Sequence, residues 1–107
     1  TKTHEDRAIN DRPRPVHPGE ILREDFLAEY GLTPGALAKA LLIPRDRMEK
    51  IVRESRDVTA DTALRLARYF CTSARFWINL QATHDLLVAE GKFHDAIDQI
   101  VPLESAA

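Results

Sequence analysis

A series of helix-starting and helix-ending residues divides this chain into short segments. Pro18 suits the first turn of a helix, where its missing N–H costs nothing, and Gly31 suits the position just after a helix end. Thr33 with Pro34 starts the next helix. Pro44 ends it, because the residue before a proline is biased out of the helical region. Between Pro18 and Pro44, this spacing leaves room for short helices only.

Apolar residues recur at helical spacing within these segments and beyond them. The stripes are Leu22, Phe26 and Tyr30; Leu37, Ala38 and Leu41; Met48, Ile51 and Val52; and Ala63, Leu66, Ala67 and Phe70. Thr59 is the expected N-cap of the fourth helix, and Thr72 or Ser73 that of a longer helix stopping at Gly91. A last short helix is expected over 93–101. No segment alternates as a strand does, so the sequence predicts an all-α fold of five helices.

One small residue and two apolar residues indicate a helix-turn-helix between roughly Thr33 and Val52. Two short helices that cross steeply need a small residue where they approach, and Ala38 supplies it. Met48 follows ten residues later and Ile51 three residues after that. This spacing packs the second helix on the first and leaves its outer face free for the major groove of DNA.

The outer face of that second helix carries side chains that suit DNA. We predict that Arg45, Asp46 and Lys50 read bases, since Arg and Lys match guanine O6 and N7 while Asp accepts from cytosine N4. The predicted phosphate contacts are Thr33, Arg47, Arg53 and Arg56. Double-stranded DNA is therefore the first expected partner.

The net charge of −2 hides an uneven distribution. Residues 31–83 hold nine basic and five acidic side chains, whereas residues 84–107 hold one basic and five acidic. A basic middle followed by an acidic tail is typical of a protein with one DNA-facing side. Two alternatives stay open: a merely solvated face, or a protein-binding module that has lost DNA affinity. Asp46 and Glu49 favour the latter, since they repel phosphates unless they face bases.

The domain organisation follows from these patterns. We expect a flexible, proline-containing arm over 1–17, the DNA-binding domain over 18–91, and a short helix and tail over 92–107. A domain of this size has a thin core, so a partner subunit would add buried surface. The long helix is apolar on more than one face, which predicts a two-fold homodimer. The predicted dimer residues are Phe76, Trp77, Leu80 and Leu87.

The stretch from His17 to Leu86 resembles the HigA-type (VapI-type) antitoxins, a branch of the Xre/Cro-like regulators. Besides the helix-turn-helix, the resemblance lies in His-Pro-Gly-Glu-Ile-Leu at 17–22, Ala63-Leu64-Arg65-Leu66-Ala67, Phe70, Phe76-Trp77, Asn79-Leu80-Gln81 and Asp85-Leu86. Four positions depart from the usual pattern. Leu42 replaces a turn glycine, Pro44 replaces a Ser or Thr cap, and Glu54-Ser55 replaces Asn-Gly after the second helix.

The resemblance implies an Xre/Cro-like domain that is the antidote half of a type II toxin–antitoxin pair. Such a protein represses its own operon as a dimer on a palindromic operator and neutralises a HigB-type mRNA endoribonuclease. Relatives without a toxin also exist, so a stand-alone regulator remains the alternative. We expect the toxin to contact the arm, the acidic tail and the polar face of the first helix. That face consists of Glu20, Arg23, Glu24 and Glu29.

Other classes of function find little support. The four histidines have no short metal-ligand spacing, and neither a phosphate loop nor a nucleophile motif occurs, so we expect no metal, cofactor or enzymatic activity. No segment approaches the roughly 20 apolar residues of a membrane helix. Cys71 is the single cysteine, which excludes an internal disulfide and favours the cytoplasm.

Overall fold

The computed structural model describes residues 14–106, and every regular element in that range is helical. Helix α1 runs without a break through Pro18–Ile21, Leu22–Leu27 and Ala28–Tyr30, with π-helical hydrogen bonding in the middle segment. It is followed by α2 (Pro34–Leu41), α3 (Arg45–Val52), α4 (Ala60–Phe70), α5 (Ala74–Asp98) and the single turn α6 (Leu103–Ala106). The predicted all-α fold of five helices with a long C-terminal helix is confirmed. The predicted flexible arm lies outside the described residues except for 14–17.

Side-chain capping bonds start three of these helices, α1, α2 and α5. Thr33 and Ser73 each accept a hydrogen bond of 3.0 Å from the backbone N–H three residues later. Thr59 holds the cap position of α4, but its hydroxyl makes no capping bond. At α1 the cap is His17, whose Nδ1 accepts a hydrogen bond of 2.8 Å from the N–H of Gly19. The expected starts of α2, α4 and α5 are therefore confirmed.

Helices α1 to α4 end in one shared motif. A residue just past each helix adopts left-handed backbone geometry, and the next N–H returns to the carbonyl five residues earlier. The left-handed residues are Gly31, Leu42, Glu54 and Cys71. A left-handed conformation costs an L-residue about 1–2 kcal/mol but costs glycine little. Three of these four helix ends therefore carry backbone strain.

Helix α5 continues past the glycine at which we expected it to stop. Gly91 lies inside the helix, which ends at Asp98, so the predicted end at Gly91 and the separate helix over 93–101 are wrong. One glycine costs a helix interior only about 1 kcal/mol, and no proline follows until Pro102. The domain boundary drawn after residue 91 falls within this helix. No helix in residues 14–106, α5 included, combines the length and apolarity needed to cross a membrane.

The core forms where α1 to α4 meet the first half of α5. Trp77 is fully buried there, and its indole N–H donates a hydrogen bond of 2.9 Å to the hydroxyl of Thr72. Its ring centroid lies 5.1 Å from that of Phe26. The other large, fully buried apolar side chains are Leu22, Leu37, Met48, Ile51 and Leu66. In contrast, all residues from 90 to 104 are exposed, so the second half of α5 projects from the core.

Candidate nucleic-acid interface

Helices α2 and α3 pack as the helix-turn-helix spacing predicts. Ala38 is buried at their crossing, and Met48 and Ile51 are fully buried. In the turn, the N–H of Ile43 donates a hydrogen bond of 3.0 Å to the carbonyl of Ala38. The position where the turn usually has glycine is the left-handed one, and here it holds Leu42, 83 % exposed.

The start of α1 lies against the end of α3. A Cβ atom on Gly19 would lie 1.8 Å from the carbonyl oxygen of Ile51, so only glycine lets the two backbones meet. Arg23 of α1 donates to the carbonyl of Val52 and, at 3.1 Å, to the carboxylate of Glu54. These contacts hold the end of α3 and the start of the loop that follows it.

The same loop, residues 53–58, is also held from α5. Gln81 is buried, and its side-chain oxygen accepts a hydrogen bond of 2.7 Å from the N–H of Val58. Its amide nitrogen donates to the carboxylates of Asp57, at 3.2 Å, and Asp85, at 3.0 Å. The loop after α3 is therefore positioned by two other helices.

Arg53 and Arg56, the predicted phosphate contacts after α3, are exposed on this loop. No ion pair within residues 14–106 involves either of them.

The sequence alone does not indicate that Arg23 and Gln81 hold this loop. The only sequence signal for Gln81 was its place in the family signature, and Arg23 is too far from the loop in sequence to suggest contact.

The three predicted base-reading residues lie on the exposed side of α3. The side chains of Arg45, Asp46 and Lys50 are 74 %, 67 % and 46 % exposed. Arg45 Nε lies 3.0 Å from Glu49 Oε2, and Lys50 Nζ lies 3.0 Å from Asp46 Oδ2. Each pair joins residues four positions apart, which are neighbours on a helix surface. The structure therefore brings these residues together on one face, but in ion pairs.

Arg47 is directed towards α4. Its Nη1 lies 2.9 Å from Asp61 Oδ2, while Arg65 Nε lies 2.8 Å from Asp61 Oδ1. Hydrogen bonds from Arg65 and then Arg47 hold the pKa of the Asp61 carboxyl below its usual range. The predicted phosphate contact of Arg47 would require it to exchange this carboxylate for DNA.

The start of α2 lies beside the start of α3. A Cβ atom on Gly35 would lie 3.3 Å from Arg45 Nε, so the Arg45 side chain passes close to the first turn of α2. Thr33 is exposed two residues earlier. Its hydroxyl oxygen accepts the capping bond, so its O–H can still donate to a phosphate.

A buried histidine lies beneath the loop. His17 is 2 % exposed, and because its Nδ1 accepts the capping bond, the ring proton is on Nε2. That Nε2 has no hydrogen-bond partner among the described residues and lies 3.9 Å from Asp57 Oδ1. Burial, and then the neighbouring His84, hold the pKa of His17 below its usual value. Within residues 14–106, no three His, Cys, Asp or Glu side chains could together hold a metal ion.

Three of the predicted dimer residues line a surface groove. Phe76, Leu80 and Leu87 of α5 face Val16 across a groove of about 340 Å³. Trp77 differs, because it is 0 % exposed and fills the core of its own protomer. The prediction that Trp77 contacts a second copy is therefore wrong.

A packed α2–α3 pair, with a charged outer face on α3 and two exposed arginines on the loop that follows it, defines an all-α helix-turn-helix regulator. The sequence is 50 % identical to Virulence-associated protein I of Dichelobacter nodosus, over 92 % of this chain and 89 % of that protein. No family model matches it. The chain belongs to the HigA (VapI) family of antitoxins and helix-turn-helix regulators, which are not enzymes.

Two solved structures show the same fold. The Pseudomonas aeruginosa antitoxin HigA with the higBA promoter superposes with a TM-score of 0.82 at 49 % identity, covering 84 % of this chain and 99 % of that one. Antitoxin GraA in complex with its operator superposes with a TM-score of 0.81 at 44 % identity, covering 87 % and 95 %.

Proposed function

We propose that this protein is the antitoxin and autorepressor of a type II toxin–antitoxin module. It binds a palindromic operator as a homodimer and neutralises a HigB-type mRNA endoribonuclease. Both actions take place in the cytoplasm, where the operator DNA and the mRNA lie. The observation that carries the proposal is the exposed face of Arg45, Asp46 and Lys50 on the second helix of a helix-turn-helix. The similarity to HigA with its promoter and to GraA with its operator supports DNA binding by this chain.

In the proposed complex α3 enters the major groove. Arg45 and Lys50 donate to guanine O6 and N7, and Asp46 accepts from cytosine N4. The phosphate contacts come from Thr33 before α2, Arg47 on α3, and Arg53 and Arg56 on the loop. Arg23 and Gln81 hold that loop in place, so its contacts require little further ordering.

The proposed toxin surface is the polar face of α1 together with the arm. Arg14 binds Glu20 through two hydrogen bonds, of 3.0 and 2.7 Å, so the end of the arm lies along α1. Glu24 and Glu29 are exposed on the same helix. A toxin that grips RNA is basic where it does so, and these carboxylates can cover such a surface. The acidic tail adds further contacts.

DNA binding is tested with a duplex carrying the region upstream of the protein's own gene. Arg45→Ala and Lys50→Ala are each expected to cost about 1–3 kcal/mol on that duplex and to relax base preference. Arg53→Ala and Arg56→Ala should weaken binding to all duplexes and reduce the salt slope by about one unit each. If Arg45→Ala and Lys50→Ala bind like the parent, α3 is not the reading helix.

Toxin binding is tested by co-purifying the small basic protein encoded next to the gene. The full chain should retain that protein and restore growth, and a chain that starts at Val16, which keeps the His17 cap of α1, should do both less well. Equal recovery and equal growth would exclude the arm as a toxin contact. If no such neighbour exists, the protein is a stand-alone helix-turn-helix regulator.

A further inference from the structure

Every basic side chain on α3 is held by a carboxylate. Arg45 pairs with Glu49 and Lys50 pairs with Asp46, both along the helix and both at 3.0 Å. Arg47 pairs with Asp61 of α4 at 2.9 Å. The helix that is proposed to enter the major groove thus presents neutralised cations in the absence of DNA.

We infer that Asp46 and Glu49 are specificity-determining residues, which suppress binding of α3 to non-matching DNA. The inference rests on the proposed function, since it concerns the same DNA-binding face. It goes further by giving Glu49 a role and by giving both carboxylates a second role, against the wrong DNA.

The physical basis is the origin of non-specific affinity. Such affinity comes from cations that neutralise phosphates and release counterions. A cation held by a carboxylate must first leave its partner, and that carboxylate then stands close to the phosphates. Arg53 and Arg56 on the loop have no such partner within residues 14–106, so they can neutralise phosphates without this cost.

The ion pairs are nevertheless weak enough to open at a matching site. The side chains of Arg45 and Asp46 are largely exposed and that of Lys50 is about half exposed, and exposed ion pairs contribute little free energy. At a matching site Asp46 and Glu49 can accept from cytosine N4 or adenine N6, while the released cations donate to guanine. At a non-matching site the carboxylates face guanine O6 or thymine O4 and repel them. The difference in binding free energy between the matching and the non-matching site is the specificity.

Glu49 has a second effect through Arg45. The Arg45 side chain lies between the first turn of α2 at Gly35 and the carboxylate of Glu49. These two neighbours restrict its direction before DNA arrives. A guanidinium that is already oriented loses less freedom on binding guanine, so this restriction also favours the matching site.

The test compares Asp46→Asn, Glu49→Gln and the double variant with the parent on two duplexes. One duplex carries the upstream region of the gene, and the other has the same length and composition in scrambled order. Asp25→Asn and Glu29→Gln, at exposed positions on α1, are the controls because they change charge equally. Unfolding curves confirm that all the variants fold.

Each α3 variant is expected to bind the scrambled duplex roughly 3–10-fold more tightly, because one carboxylate no longer opposes the phosphates. Binding to the upstream duplex should stay the same or weaken, so the double variant loses at least about tenfold in preference. Its salt slope on scrambled DNA should become steeper.

Three results would overturn the inference: equal tightening on both duplexes, no change on either, or the same loss of preference in the α1 controls. Preference by the parent for the upstream duplex would still support the proposed function in all three cases. A parent that binds neither duplex would instead overturn the proposed function, and this inference with it.

Discussion

The left-handed residues at the helix ends differ in what surrounds their side chains. The carboxylate of Glu54 is held by Arg23, which binds the end of α3 as well. Leu42 is 83 % exposed in the turn between α2 and α3. Its side chain therefore contributes little packing that could offset the strain of its backbone.

Replacing Leu42 by glycine should stabilise the protein. Leu42→Gly removes the left-handed strain but adds freedom to the unfolded chain, so the expected gain in unfolding free energy is about 0.5–1 kcal/mol. Leu42→Ala is the control, because it removes the same exposed side chain and keeps the strain. Chemical denaturation measures both variants. A Leu42→Gly protein no more stable than Leu42→Ala would show that this turn is not strained.

His17 should make stability depend on pH. Burial and then His84 lower its pKa, although the carboxylates of Glu54, Asp57 and Asp85 act in the opposite direction. The unfolded chain therefore takes up this proton first as the pH falls below about 6.5. The stability contributed by neutral His17 is complete above that pH, and it is lost as the pH falls through the lowered pKa of the folded state.

Asparagine can cap α1 but does not titrate, so it isolates this effect. His17→Asn should lose less unfolding free energy than the parent between about pH 7.5 and 5.5, even if it is less stable at both. Ser73→Asn exchanges the cap of α5 without removing a titratable group, so it should keep the parental pH dependence. A parental slope in His17→Asn would assign the acid sensitivity to another group.

At the scale of elements, the position of the loop after α3 depends on α5. Gln81→Leu fills a similar volume but leaves the Val58 N–H without its partner, which should cost about 1–3 kcal/mol of unfolding free energy. Arg53 and Arg56 on this loop should then contribute less to DNA binding, so the salt slope on operator DNA becomes shallower. Gln99→Leu, just past the end of α5, is the matched control and should change neither. An unchanged salt slope in Gln81→Leu would show that the loop keeps its place without this contact.

At the scale of the whole molecule, α5 carries apolar surface that a single protomer leaves exposed. Phe93 and Ile97 are about half exposed on the projecting half of the helix, and Leu87 lines the groove nearer the core. We expect a two-fold dimer through α5 that sets the two α3 helices about 34 Å apart, one turn of DNA.

A charge in the α5 groove should separate the subunits. Leu87→Glu is expected to sediment as a monomer at tens of micromolar, where the parent is a dimer, because a buried unpaired carboxylate is costly. Leu64→Glu is the control, since Leu64 is 63 % exposed on α4 and away from that groove. A dimeric Leu87→Glu protein, or a monomeric parent, would contradict an interface through α5.

Local sequence signals predict where the helices begin and how the helix-turn-helix packs. Thr33, Ser73 and Pro44 act on backbone groups within a few residues, so their effects can be read without knowing the fold. The same is true of Ala38, Met48 and Ile51, whose spacing reflects one local helix pair. The family signature then extended these local signals to the fold as a whole.

How the loop after α3 is held, and where α5 ends, depend on tertiary packing. Arg23 reaches a loop 31 residues away, and Gln81 reaches one 23 residues away, through packing that no local pattern contains. Gly91 looked like a helix end, yet the helix continues because nothing in the fold requires a turn there. Trp77 looked like an interface residue, yet it fills the core, because exposure depends on how all five helices close around it.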